Sequence, residues 1–290
     1  MDKHGAERFE TFVDALADVI GHADRVRPLR DYCLGLLAPA VRKSVEPLAA
    51  VTAPSRVSAQ HQSLLHFVAQ SPWSDERVLA RVLELMRPAI TASEPIKAWI
   101  IDDTSFPKKG RHSVGVTRQY CGQLGKQDNC QVAVSLSVAT AGASLPIAYR
   151  LYLPRVWAAD PARRKTAGVS EEVTFRTKPE IASHQIRAAP DAGVPSGVVL
   201  MDAGTGADTS LREAITRLGH PYVAGIQPHT SVWTRTNPPP PVRPWSGRGR
   251  PTSRMVRGPD HQPHPPRGSR ARFLPRPGRR SRGVRAAPAP

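Results

Sequence analysis

The first part of the chain carries apolar residues at intervals of three and four, the period of an amphipathic helix. Four helices are predicted on this basis, over residues 7–22, 28–37, 58–70 and 74–88. The fourth is predicted to begin after Ser74, a favourable cap, and to end at Pro88, which lacks a backbone N–H. The pattern therefore predicts an N-terminal helical domain over residues 1–92. It does not separate a packing or dimerisation role from recognition of DNA ends.

Beyond the helices the pattern changes to short apolar runs and to alternation, which are typical of strands. Strands are predicted around residues 99–101, 113–121, 131–139, 145–153, 198–201 and 222–226. Short loops between the second, third and fourth of them predict an antiparallel meander. Two helices are predicted, over residues 179–189 and 210–218. Ser210 and Glu213 match a capping box for the second helix, whereas residues 157–177 show no period. The order of elements predicts an α/β fold with a mixed sheet over residues 93–236.

Two of the predicted strands end in carboxylates. The run Trp99–Ile101 leads to Asp102 and Asp103, and the run Val198–Met201 leads to Asp202 and a glycine turn. Because side chains alternate along a strand, Asp102 and Asp103 cannot both point into one site. Carboxylates at two strand ends suit metal-dependent phosphoryl transfer, since Mg²⁺ prefers carboxylate oxygens together with water and phosphate. An acidic pair at a strand end is also common in ordinary turns, so the pattern alone leaves both interpretations open.

The formal net charge of the 290 residues is +17, which favours a polyanionic partner such as nucleic acid. The charge is uneven, because 13 Arg, 14 Pro and a single acid lie among the last 54 residues. With no periodic apolar face, residues 237–290 are predicted to be a disordered tail. Within the tail, Gly247–Pro251 resembles the core of an AT-hook, in which Arg248 and Arg250 would enter a narrow minor groove. A solvated basic linker is the alternative.

The three cysteines, Cys33, Cys121 and Cys130, have no metal-ligand spacing and do not suggest a disulfide framework. They predict buried thiols in a reducing compartment. No apolar run approaches the roughly 20 residues that are needed to span a bilayer, and the N-terminus has no apolar signal core. We therefore expect a soluble, cytoplasmic protein without a membrane partner.

Several ordered motifs resemble the DDE transposases of bacterial insertion sequences. They are Ile101–Gly110, His112–Val116, Arg118–Gly125, Asn129–Val132, Phe175–Glu180 and Val199–Gly204. The resemblance is dense from about residue 67 to residue 227 and continues through residues 244–251. It implies an RNase H-like core in which three acids hold two divalent metal ions, expected to be Mg²⁺.

Carried over by position, the resemblance implies that Asp202 is the second acid. It favours Asp103 as the first, because the family's usual pattern places the acid directly before Thr104, and Asp102 is the alternative. The implied chemistry is cleavage of the phosphodiester at the element's end, followed by attack of the freed 3′-hydroxyl on target DNA. The implied partners are the terminal repeats and the target DNA, with a homo-oligomer assembling on them.

Four basic residues near the first acids are predicted to contact phosphate and to set the register of DNA without reading its sequence. They are Lys108, Lys109, Arg111 and Arg118. For any one of them, an ordinary solvated basic loop is the alternative.

The sequence departs from the family where the third acid, a Glu on a later helix, should follow. No Glu occurs after Glu213, and beyond about Arg257 the family pattern gives way to Arg/Pro/Gly/Ala sequence. Such composition is what an out-of-frame translation of a GC-rich gene would produce. Thr205 also departs, since an aromatic residue is common there in the family. We therefore expect a C-terminally truncated or frameshifted transposase with an incomplete core and impaired strand cleavage.

Two other functions remain open at this point. One is a non-catalytic DNA-binding fragment that acts as a regulator or is a pseudogene product. The other, weaker one is a ribonuclease on the same core, which cleavage of RNA–DNA hybrids would reveal.

Overall fold

The computed structural model describes residues 3–39, 42–92, 94–227, 230, 245 and 247–249. Most of the predicted disordered tail, residues 237–290, therefore lies outside the described residues. The described chain divides into two compact units, one formed by residues up to 96 with 140–148, and one by residues 97–139 with those from 149 onwards. The predicted domain limits, 1–92, 93–236 and 237–290, stay predictions.

The first unit is built from helices. They are α1 (Lys3–Ile20), α2 (Val26–Leu37), α3 (Val45–Thr52), α4 (Val57–Ala69) and α5 (Asp75–Thr91). On α1 the buried apolar residues lie at the predicted helical spacing. On α2 Leu29 is buried but Leu36 is exposed, and on α4 Leu64 and Phe67 are buried but Leu65 and Val68 are exposed. The main core cluster consists of Phe9, Val13, Leu16, Ile20, Leu29 and Phe67. The predicted N-terminal helical region is confirmed.

The prediction that Pro88 ends the fourth helix was wrong, because α5 continues through it to Thr91. Proline fixes φ at a helical value, and near a helix end its missing N–H removes only one hydrogen bond. The sequence pattern also missed α3, in which Leu48 and Ala49 are fully buried and pack with Leu64 of α4. An eight-residue helix is too short to show its period clearly.

The second unit contains most of a six-stranded mixed sheet. Its strands are β1 (Ala98–Pro107), β2 (Thr117–Cys121), β3 (Lys126–Ala139), β4 (Ser144–Leu151), β5 (Val198–Met201) and β6 (Tyr222–Ala224). The order is β2-β3-β1-β5-β6, with β4 beside β3. β3 is antiparallel to both β1 and β2, whereas β5 is parallel to both β1 and β6. The predicted α/β mixed sheet is confirmed, and its order is consistent with an RNase H-like fold.

Four helices complete the described part of the second unit. They are α6 (Arg155–Ala158), α7 (Pro161–Thr166), α8 (Lys178–Asp191) and α9 (Thr209–Arg217). Ile181 and Ile186 of α8 are fully buried, and the Gln185 side chain donates to the carbonyl of Val134 on β3, at 3.0 Å. Trp99 of β1 and Val199 of β5 are buried completely. The core therefore lies between the sheet and α8, and it fixes the position of the strand ends.

Three local expectations need correction. The N-cap of α9 is Asp208, whose carboxylate accepts from the N–H of Leu211, and Ser210 lies inside the helix. The segment 157–177 has no period, yet it contains α7 and the end of α6, helices too short to show one. β3 begins at Lys126 rather than near residue 131, since a short turn ending in left-handed Gly125 precedes it.

Cys121 and Cys130 are buried and free, as predicted, and Cys33 is half-buried. Burial, and after it the neighbouring Cys121, raises the pKa of Cys130 to about 11. None of the described helices is both long enough and apolar enough to cross a membrane.

Candidate active site

The carboxyl ends of the parallel strands β1 and β5 form the edge that carries the predicted acids. In the parallel register Trp99 pairs with Val199, and Ile101 pairs with Met201. All four side chains are buried, so these pairs share one face of the sheet. This register fixes which residues follow at the same level on the two strands.

Asp102 and Asp202 are the residues directly after the last pair, Ile101 and Met201. Neighbouring strands lie about 4.8 Å apart, so the two acids leave adjacent backbones at one level. The register ends at the pair Ile101 and Met201, and Asp202 begins the turn that follows β5. Both acids are exposed, in contrast to the buried pair that precedes them. The fold therefore brings the ends of two strand runs, 100 residues apart in the chain, next to each other, and each is followed by an acid.

Asp103 projects to the opposite face of β1, and its carboxylate has a cationic partner there. The Lys178 ammonium donates to Asp103 Oδ2 at 2.5 Å. The two side chains are 35% and 33% exposed, so water reaches the pair only in part. The Asp103 N–H donates to Asp102 Oδ1 at 2.8 Å, which ties the two acids together locally.

Lys178 reaches Asp103 because it is the first residue of α8. The helix opens with a complete capping box, in which Thr177 accepts from the N–H of Glu180 while Glu180 accepts from the N–H of Thr177. The bond from the Thr177 N–H lowers the pKa of Glu180 and keeps this carboxylate charged. The Lys178 ammonium also lies 5.9 Å from the centre of the Tyr152 ring. Capping and packing thus aim the lysine at the sheet.

A tight turn positions Asp202. The N–H of Thr205 donates to Asp202 Oδ1 at 2.7 Å, and the N–H of Gly206 donates to the Asp202 carbonyl at 2.8 Å. A Cβ on Gly206 would lie 2.7 Å from that carbonyl oxygen, and one on Gly225 would lie 2.6 Å from the N of Ala203. Glycine is needed at both positions because the turn approaches β6 so closely.

The chemistry of this donor set fits a hard divalent cation in part. Asp102 and Asp202 offer carboxylate oxygens, the ligands that Mg²⁺ prefers. In the part of the chain that the structure describes, no group of three or more His, Cys, Asp or Glu side chains lies close enough to hold a metal ion. The two acids would thus leave most coordination positions to water or phosphate oxygens.

The four basic residues predicted to contact phosphate fall around the loop between β1 and β2. Lys108, Lys109, Arg111 and Arg118 are all exposed. Lys109, Arg111 and Arg118 line one cleft, together with Arg163. Of the AT-hook residues, Arg248 is exposed, and Arg250 lies outside the described residues.

Two residues that the sequence did not single out lie at the site: Lys178 beside Asp103, and Arg163 in the cleft with the predicted basic residues. Lys178 lies within the motif Phe175–Glu180, so its position was marked, but its ion pair with Asp103 could not be foreseen. Arg163 lies in the segment without a period and carried no signal in the sequence.

Comparison with known proteins identifies relatives of this chain. The family described as DDE superfamily endonuclease matches residues 15–272, a range that extends beyond Arg257. A protein of Microchaete diplosiphon, described as "Probable transposase for insertion sequence element IS701", is 37% identical over 142 residues. These residues are 49% of this chain and 34% of that protein, so the match spans about a third of the relative's length.

Proposed function

The chain belongs to the DDE superfamily endonuclease family, and from this we propose that it is a transposase of a bacterial insertion sequence that acts on DNA. The observation that carries the proposal is the parallel register of β1 and β5, in which Asp102 and Asp202 directly follow the paired residues Ile101 and Met201. Paired carboxylates on adjacent strand ends are suited to a divalent metal at a phosphodiester. The proposed substrates are the element's terminal repeats and its target DNA.

We further propose that Asp102, with Asp202, holds the metal ion. The sequence resemblance favoured Asp103, and that assignment stays a prediction. Two observations support Asp102: it directly follows Ile101, the partner of Met201, and the carboxylate of its rival Asp103 is engaged by Lys178. A bound Mg²⁺ would supply Lewis-acid polarisation of a phosphoryl oxygen. The N–H of Thr205 would hold the Asp202 carboxylate in a fixed orientation for the ion.

Two carboxylates are fewer than the three that the family resemblance implies. We therefore propose that strand cleavage is weak, and that two ions are held only incompletely. The alternative of a DNA-binding fragment that regulates a complete enzyme draws support from the same observation, since no third acid joins the pair among the described residues.

Binding of Mn²⁺, followed by paramagnetic resonance in the presence of duplex DNA, tests the ligand assignment without requiring activity. We expect Asp102→Asn and Asp202→Asn each to weaken binding by at least about tenfold, because each removes one charged ligand. Asp103→Asn is the matched control and should bind nearly as the unaltered chain does. If Asp103→Asn alone abolished binding, the assignment of Asp102 would be wrong.

Nicking of a supercoiled plasmid that carries the DNA flanking this gene separates the two functions. Mg²⁺- or Mn²⁺-dependent nicking that disappears in Asp202→Asn would support the enzyme. Binding of the same plasmid without nicking would support the regulator. A parallel assay offers the chain RNA–DNA hybrids. Cleavage of these hybrids without nicking or binding of the plasmid would contradict both functions and favour a ribonuclease.

A further inference from the structure

A cleft of about 480 Å³ lies between the β1–β2 loop and α7, near the C-terminal end of β1. Four cationic side chains line it, namely Lys109, Arg111, Arg118 and Arg163, against one acid, Asp128. The cleft is therefore strongly positive. We refer to it as the basic cleft.

The walls of the basic cleft are fixed by hydrogen bonds from β3. The Asn129 amide donates to the carbonyls of Lys108 and Gly110, at 2.7 and 2.8 Å. The Gln131 amide donates to the carbonyl of Val114 at 2.6 Å. Two amides thus clamp the loop at three points, so little conformational entropy is left to lose when a ligand binds.

Arg163 is held in place before any ligand arrives. Its guanidinium lies over the Trp157 ring, with the central carbon 3.7 Å from the ring centre. Trp157 is fully buried and donates its indole N–H to the Val116 carbonyl at 2.8 Å, so the platform itself is rigid. One guanidinium nitrogen also donates to the carbonyl of Arg111, at 2.7 Å. A planar guanidinium that is fixed in this way retains further N–H groups for a fork-like contact with phosphate.

Asp128 does not cancel the charge of the cleft. The N–H of Asn129, and after it Lys126, hold the pKa of Asp128 below its usual value, so it is ionised. Its carboxylate is engaged by Lys126 at 3.3 Å. Four cations therefore face one carboxylate, which already has a lysine partner of its own.

The basic cleft and the acids lie along one strand. Cys130 of β3 pairs with Pro107 on one side and with Thr117 on the other, so the cleft begins at the level of Pro107. Pro107 lies five positions after Asp102 on β1, which corresponds to about 17 Å along a strand. For a duplex whose axis runs along β1, this distance spans about five base pairs, because phosphates on one DNA strand are spaced by about 3.4 Å along the helix axis.

We propose that the basic cleft binds the phosphate backbone of duplex DNA about five base pairs from the phosphodiester at the acids, with Arg163 as its anchoring cation. The proposal rests on the proposed function for the position of the DNA at the acids. Its contacts are to phosphate and carry no sequence information, so the cleft sets the register of the duplex.

The test measures binding of the full chain to a fluorescein-labelled duplex of arbitrary sequence, by anisotropy in EDTA across a range of KCl concentrations. Arg163→Gln and Arg118→Gln should each weaken binding about tenfold, the value of a charge-assisted hydrogen bond. Each should also reduce the slope of log K against log[salt] by about one, the signature of a lost phosphate contact. Arg163→Lys should keep the slope, because it keeps the charge.

Arg217→Gln is the matched control, because Arg217 lies in the last turn of α9 and pairs with Glu213 at 3.9 Å. Affinity and slope in Arg163→Gln and Arg118→Gln equal to those of Arg217→Gln would overturn the proposal. Arg163→Gln could lower the stability of the chain, because Arg163 packs on Trp157. In that case Lys109→Gln and Arg118→Gln, which change exposed residues, are compared with Arg217→Gln instead.

A second arm uses inorganic phosphate as competitor at constant ionic strength. The proposal expects no displacement of the duplex. Displacement that disappears in Arg163→Gln would assign the cleft to a small phosphate ligand and would overturn it. Since no metal is present, failure of the cleft and failure of the metal site at Asp102 and Asp202 are distinguishable.

Discussion

The ion pair between Asp103 and Lys178 offers a quantitative test of which acid has a structural role. Lys178→Met removes the ammonium and keeps most of the apolar stem, while Asp103→Asn removes the charge and keeps the shape. The structure places the two charged groups 2.5 Å apart, with each side chain about one-third exposed. The pair therefore lies between a surface pair and a buried one.

The magnitude follows from this intermediate exposure. Exposed ion pairs contribute about 0–1 kcal/mol, and breaking a buried pair costs about 3–5 kcal/mol. We expect each single variant to lose about 2 kcal/mol of unfolding free energy. The double variant should lose less than the sum, by a coupling energy of about 1–2 kcal/mol, because removing the second partner relieves an already unpaired charge.

Urea denaturation of a chain in which Trp73, Trp233 and Trp245 are replaced by Phe, followed by the fluorescence of the fully buried Trp99 and Trp157, measures these free energies in the second unit. Asp102→Asn paired with Lys178→Met is the matched cycle, since Asp102 is the same residue type one position away. Its coupling should be near zero. A coupling near zero for Asp103, or an equal coupling for Asp102, would refute the assignment of Asp103 to the lysine.

Two further outcomes follow from local packing. The His220 ring lies 4.7 Å from the Trp99 ring, and burial lowers its pKa below 6.5, so the unfolded chain binds this proton more tightly. The stability that His220 contributes in its neutral form is fully present above pH 6.5. It is lost as the pH falls through the lowered pKa of His220 in the folded chain. His220→Asn should flatten this acid-side loss of unfolding free energy in urea titrations, and an unchanged pH profile would contradict the reasoning. Gly225→Ala should cost about 1–3 kcal/mol, because its Cβ would lie 2.6 Å from the backbone N of Ala203, and it should weaken Mn²⁺ binding as the acidic turn shifts. Gly142→Ala is the control, since a Cβ there meets nothing within 4 Å, and equal losses in both variants would count against the close approach.

Elements with a long, regular period were predictable from the residues alone. The stripe of Phe9, Val13, Leu16 and Ile20 predicted α1, and each of these residues is buried. The alternation on β3 predicted a strand, and Val132, Val134, Leu136 and Val138 are buried on it. In both cases the spacing of apolar residues follows the period of the element. One face of the helix or strand must be buried, whatever it packs against, so that face is apolar.

Short or irregular elements were not predictable in this way. α3, α6 and α7 are too short for their periods to be distinguished from chance, and they exist because tertiary contacts stabilise them. Trp157 of α6, for example, is fully buried and donates to the carbonyl of Val116, 41 residues away in the chain. The long β1 strand continues past its apolar run because β3 pairs with it as far as Pro107.

The residues alone marked both acidic strand ends as candidate ligands and predicted an acid-lined α/β core, since carboxylates after apolar runs are a local feature. They could not decide between Asp102 and Asp103 as the acid that acts with Asp202. That choice depends on the register of two parallel strands, in which a shift of one residue moves every side chain to the opposite face. Only the folded sheet sets Ile101 level with Met201, so that Asp102 and Asp202 follow one strand pair, and only the fold sets Asp103 against Lys178.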